Sequence, residues 1–132
     1  MIAAAVGIVA GPAVAEDAAT KTADDRAEAT LAGSEQEVSG RIASACLDNN
    51  WTIAERTEFK VVCEGEEVFM PLYGNMRIKE VYTFNLIGAD GITRVRGTSI
   101  SQRRRPIGNS IELEGSGGED MAVLLNKVGN AP

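Results

Sequence analysis

The sequence predicts an α+β fold: an N-terminal helix, an antiparallel sheet of four or five strands and a C-terminal helix, with both helices packed on one sheet face. Three observations carry this. Apolar residues recur at helical spacing just after residue 34 and again near the C-terminus. Between those segments, short runs alternate apolar and polar residues, the period of a half-buried strand. The longest alternating stretch is interrupted by Asp90-Gly91, a strong hairpin turn. The second sheet face is left to solvent, as antiparallel sheets allow.

Residues 1–15 read MIAAAVGIVAGPAVA, without a charge, and Glu16 and Asp17 follow directly. Ala13 and Ala15 fit the small-residue pattern of an export cleavage site. The apolar core from Ile2 to Ala10 falls far short of the ~20 residues of a transmembrane helix. A signal peptide over 1–15 is therefore expected, with a periplasmic or extracellular mature protein and no transmembrane span. Residues 16–33 are mostly alanine, threonine and acid, with Leu31 as the one large apolar group. So little apolar surface does not offset the entropy of ordering, and a flexible acidic, alanine-rich linker is expected. One α+β domain is expected over 34–132.

The domain opens with Ser34-Glu35-Gln36-Glu37, a capping box. Val38, Ile42, Ala45 and Cys46 then form an apolar stripe, and Asn49-Asn50 suit a helix end, so a helix is expected over about 35–48. Trp51 and Ile53, then Phe59, Val61 and Cys63, mark two strands with one buried face each. Pro71 and Gly74-Asn75 limit the next segment to an edge strand over 67–70 followed by a loop. Its apolar residues Phe69, Met70, Leu72 and Tyr73 are either core or an exposed interface patch. Tyr82, Phe84 and Leu86 share one face of the first hairpin strand. In the second, Val95, Gly97 and Ser99 share a face, and Arg94, Arg96, Thr98 and Ile100 share the other. Ile111 and Leu113 mark a last short strand. Met121, Leu124, Leu125 and Val128 mark the C-terminal helix, with Glu119 and Asp120 near its positive end.

The chain holds two cysteines. Cys46 lies on the apolar helix stripe and Cys63 on the apolar strand face, so both point into one core. In an oxidising compartment they are expected to pair as a disulfide. A redox-active role is disfavoured by the absence of a C-x-x-C spacing.

Composition narrows function. There is no histidine, the net charge is −6 and the pI is about 4.7. The commonest general base and metal ligand are missing, and an acidic chain is a poor nucleic-acid binder. The acidic runs at 64–67 and 114–120 lack the ligand order of a calcium loop. No metal site, no cofactor, no catalytic residue and no enzymatic activity are expected. The GSGG run lacks the lysine and hydroxyl of a phosphate-binding loop. The most pointed feature is basic. Residues 94–105 hold five of the nine arginines and no acid, a local +5 in a chain of −6. Arg94, Arg96, Arg103, Arg104 and Arg105 are the candidate partner-binding residues, and strand period puts Arg94, Arg96 and Arg104 on one face. The ordinary alternative is an edge strand protected from aggregation by its charges. The expected function is an exported, non-catalytic envelope domain that binds a protein partner or takes part in an assembly. The alternatives are an arginine-face binder of an anionic lipid headgroup or polysaccharide, and a small hydrolase whose carboxylates are brought together in space.

Overall fold

The computed structural model describes residues 19–108 and 110–130, so the expected signal at 1–15 lies outside the described residues. The elements run β1 (Ala19–Ala23), β2 (Arg26–Ala32), α1 (Glu35–Asp48), β3 (Thr52–Arg56), β4 (Lys60–Glu64), β5 (Val68–Met70), a 3-10 turn (Pro71–Tyr73), β6 (Met76–Ala89), β7 (Ile92–Arg104), β8 (Ile111–Glu114) and α2 (Gly118–Asn130). The strands form one antiparallel sheet in the order β1-β2-β7-β6-β4-β3, with β5 beside β6 and β8 beside β7. The α+β class holds. The sheet, however, has eight strands rather than four or five, and the first helix follows two strands instead of opening the fold.

Those two strands come from the segment expected to be a flexible linker. Ala27, Ala29 and Leu31 are buried on alternate positions of β2, and the residues between them are exposed. β2 pairs with β7 from Arg26↔Thr98 to Ala32↔Ile92. The buried groups are mostly methyls, so the segment reads as apolar-poor. Tertiary pairing outweighs its weak intrinsic preference. Asn126 of α2 secures the sheet edge, accepting from the Ala19 amide at 3.0 Å and donating to its carbonyl at 3.4 Å.

The long hairpin of β6 and β7 is the axis of the molecule. Asp90 (φ 55°) and Gly91 (φ 81°) turn it in the left-handed region. Its ladder runs from Ala89↔Ile92 to Arg77↔Arg104. Near the turn, both helices cover one face. Phe84, Leu86, Val95, Val61 and Cys63 meet Val38, Ile42 and Cys46 of α1 and Met121, Leu124 and Leu125 of α2, and all are essentially buried. α1 begins with the expected capping box. The Glu37 amide donates to Ser34 Oγ at 3.2 Å, and the Ser34 amide donates to Glu37 Oε1 at 2.9 Å. That second bond holds the Glu37 carboxyl below its ordinary pKa. Asn50, at φ 63°, closes the helix. Cys46 and Cys63 form a disulfide that ties α1 to β4 inside the core.

The hairpin continues past the helices. β4 and β2 end, and β5 and β8 take their places beside β6 and β7. α1 packs on β3, β4 and β6, and α2 packs on β1, β2 and β7. The far end of the sheet therefore projects beyond the two-layer body. No helix among the described residues is long and apolar enough to cross a membrane.

Candidate functional site

The projecting end joins the two surfaces singled out in the sequence. Arg94, Arg96 and Arg104 alternate with Val95, Gly97 and Arg103 along β7, on the face turned away from the helices. They do not form one cluster. Ten residues of strand separate Arg94 from Arg104, about 33 Å at ~3.3 Å per residue. Near the turn, Arg94 approaches Glu28 of β2 at 4.0 Å, and Arg96 stands between Glu28 and Asn85 on the neighbouring strands. Arg103 faces the helix side, and its Nε is buried without a hydrogen-bond partner. Arg104 and Arg105 lie at the tip.

The apolar candidates lie at the same tip. Phe69 is 50% exposed and Leu72 93% exposed, while Met70 is half-buried. The first two are surface rather than core. The Tyr73 side chain lies outside the described residues. Register puts Phe69 opposite Arg77 and Arg77 opposite Arg104, so the three stand side by side on β5, β6 and β7. The Arg77 guanidinium sits over the Phe69 ring, 5.4 Å from its centroid. Glu67 bridges the two arginines: its Oε1 accepts from Arg77 Nη1 at 3.5 Å and its Oε2 from Arg104 Nη2 at 3.0 Å. Phe69, Asn75, Arg77, Arg104, Arg105 and Pro106 line a cavity of about 320 Å³. Arg96 and Arg105 make no ion pair among the described residues.

Sequence reading missed Arg77, Asn75 and Glu67. The signal for Arg77 was present. A two-residue Asp-Gly loop fixes hairpin register, and counting down from Ala89↔Ile92 puts Arg77 opposite Arg104. Glu67 carries no such signal, because its position depends on the irregular join between β4 and β5.

On the helix side of the tip lies a polar step. Trp51 stacks on Tyr82 with ring centroids 4.0 Å apart and planes 8° apart. Gly117 N donates to Ser99 Oγ at 2.9 Å, and Ser116 N donates to Glu80 Oε2 at 3.3 Å. Burial holds the Glu80 carboxyl above its ordinary value. Burial, with Asp120 and Glu80 adding, pushes the Tyr82 phenol up to about 12. Beyond this step Val68, Ile111 and Leu113 are 53%, 43% and 43% exposed.

A wider groove of about 520 Å³ runs along α1 between Glu37 and Asp48, with Lys127 and Val128 of α2 on its wall. Those two carboxylates stand about 16 Å apart along the helix at its ~1.5 Å rise. A glycosidase pair needs about 5–9.5 Å. Among the described residues no three potential metal ligands cluster. No known protein-family model matches the chain, and no curated protein is significantly similar to it.

Proposed function

We propose that this protein is an exported, non-catalytic domain that binds a protein partner in the cell envelope through the projecting end of its sheet. The observation that carries the reading is the exposure of large apolar residues on both faces of the sheet end: Phe69 beside Arg77 and Arg104 on one face, Val68, Ile111 and Leu113 on the helix-side face, and Leu72 in the turn between β5 and β6. Aromatic residues, aliphatic residues and arginine together are the composition of a protein interface. An anionic lipid or polysaccharide would favour uncompensated cations, whereas Glu67 and Glu28 already stand against Arg77, Arg104 and Arg94. The Cys46–Cys63 disulfide supports an oxidising compartment.

Site-specific photocross-linking in the producing cell tests this. A benzoylphenylalanine at Leu72 or Ile111 should give a discrete adduct, and one at exposed Val123 on α2 should not. Equal adducts from all three positions, or none, would overturn the reading. Binding to phosphatidylglycerol vesicles that collapses with salt and with Arg103–Arg105→Ala would favour the lipid alternative.

A further inference from the structure

The tip pocket is lined by three arginines and no carboxylate. Arg77, Arg104 and Arg105 line it, and the carboxylate of Glu67, in a smaller adjoining cavity with Lys79, Gln102 and Ser110, bridges Arg77 and Arg104. Glu67 shows what the Arg77–Arg104 pair accepts: a carboxylate with one oxygen on each of two guanidinium groups. Its grip is uneven, 3.0 Å to Arg104 but 3.5 Å to Arg77. Phe69 and Pro106 wall the cavity with apolar surface, which suits the methylene stem behind a carboxylate rather than a bare anion.

We propose that this pocket receives a glutamate or aspartate side chain from an acidic, apolar segment of the partner, and that Glu67 is a built-in competitor which the incoming carboxylate displaces. The proposal rests on the reading of the sheet end as a docking surface. It adds a chemical class to that partner. Arg77 and Arg104 are held ready by an internal carboxylate, which an incoming anion has to displace. Exchange of one carboxylate for another leaves the charge count unchanged, and the partner's surrounding apolar contacts decide the balance.

The probe is the peptide acetyl-Phe-Glu-Phe-Glu-amide, with acetyl-Phe-Gln-Phe-Gln-amide and inorganic phosphate as controls. Titration is followed by the Nε–Hε signals of Arg77 and Arg104 in NMR spectra of the intact protein. The glutamate peptide should shift both signals, and the glutamine peptide should shift neither. Glu67→Gln should tighten binding about threefold, the size of an exposed ion-pair competitor. Arg104→Ala should weaken it about tenfold, and Arg104→Lys should fall between, keeping the charge but losing the planar fork. Arg94→Ala should leave it unchanged. Equal shifts from the glutamine peptide, weaker binding by Glu67→Gln, or phosphate shifting both signals at no higher concentration than the peptide would each overturn the proposal. The two readings fail separately. Cross-links at Leu72 and Ile111 without peptide binding would sink the carboxylate pocket alone. Peptide binding without cross-links would sink the docking surface alone.

Discussion

Three glycines at the start of α2 and just before it are dictated by what surrounds them. A Cβ on Gly117 would stand 2.5 Å from Tyr82 Cε1, and one on Gly115 would strike the Ser99 hydroxyl and carbonyl. On Gly118 it would meet the Ala23 carbonyl oxygen. Gly117→Ala should therefore destabilise the fold by about 1–3 kcal/mol, the usual cost of overpacking. Gly40 is the contrast. It lies inside α1, and its new methyl would meet only the end of the Arg56 side chain at 3.2 Å. Gly40→Ala should gain about 0.5–1 kcal/mol from helix preference. Urea melts of the pair check both signs, and equal effects would sink the contrast. Tyr82 and Glu80 make pH predictions of one sign. Each binds its proton more tightly in the native state than in the unfolded chain, so each contribution is present at low pH and lost as pH rises through the folded value. For Tyr82 the window runs from 10.0 to about 12. Tyr73→Phe leaves Tyr82 as the single tyrosine, and its absorbance near ~295 nm should titrate near 12 rather than 10. For Glu80 the loss begins above 4.5. Glu80→Gln should therefore gain stability relative to the parent as pH rises above 4.5, as read by urea melts at a series of pH values. A constant difference would mean a solvated carboxylate.

At the scale of elements, the disulfide joins α1 to β4 across 17 positions of sequence. Closing a loop of that size stabilises by about 3 kcal/mol in the chain-entropy model, so Cys46→Ala with Cys63→Ala should lower the melting temperature by roughly 10 °C. An unchanged melting temperature would show that packing alone holds α1. The elements also show what a sequence discloses. α1, the β6–β7 hairpin and α2 were legible because cap, turn and period agree in each. The Ser34 box, Asp90-Gly91 and the Met121–Val128 stripe are all local signals. β1 and β2 were not legible, since alanines at 27 and 29 are buried by contact with α2 and β7, which are distant in sequence. Phe59 misled in the opposite direction: it continues the alternation of Val61 and Cys63 but is 53% exposed beyond the start of β4.

Across the whole molecule, one long hairpin passes from a region covered by both helices on one face into a region open on both faces. Stability should divide along the same line. Amides of Val68–Met70 and Ile111–Glu114 should exchange with deuterium at least about tenfold faster than those of Tyr82–Leu86, as mass spectrometry of the intact protein can measure. Uniform protection would mean that the tip is as firmly held as the body. The candidate site was half legible for the same reason. Its arginines and apolar residues stand out as local runs, but their meeting depends on β5, β6 and β7 lying side by side far from the turn. The hairpin also makes reach an adjustable quantity. Because the tip hangs outside the core, its length can change without repacking a helix, and strand pleating allows change only in steps of two residues per strand, which keep every side chain on its face. If the sheet end docks a partner as proposed, a longer or shorter tip would hold the same body at a different distance from it, and the sheet end would act as a spacer as well as a surface.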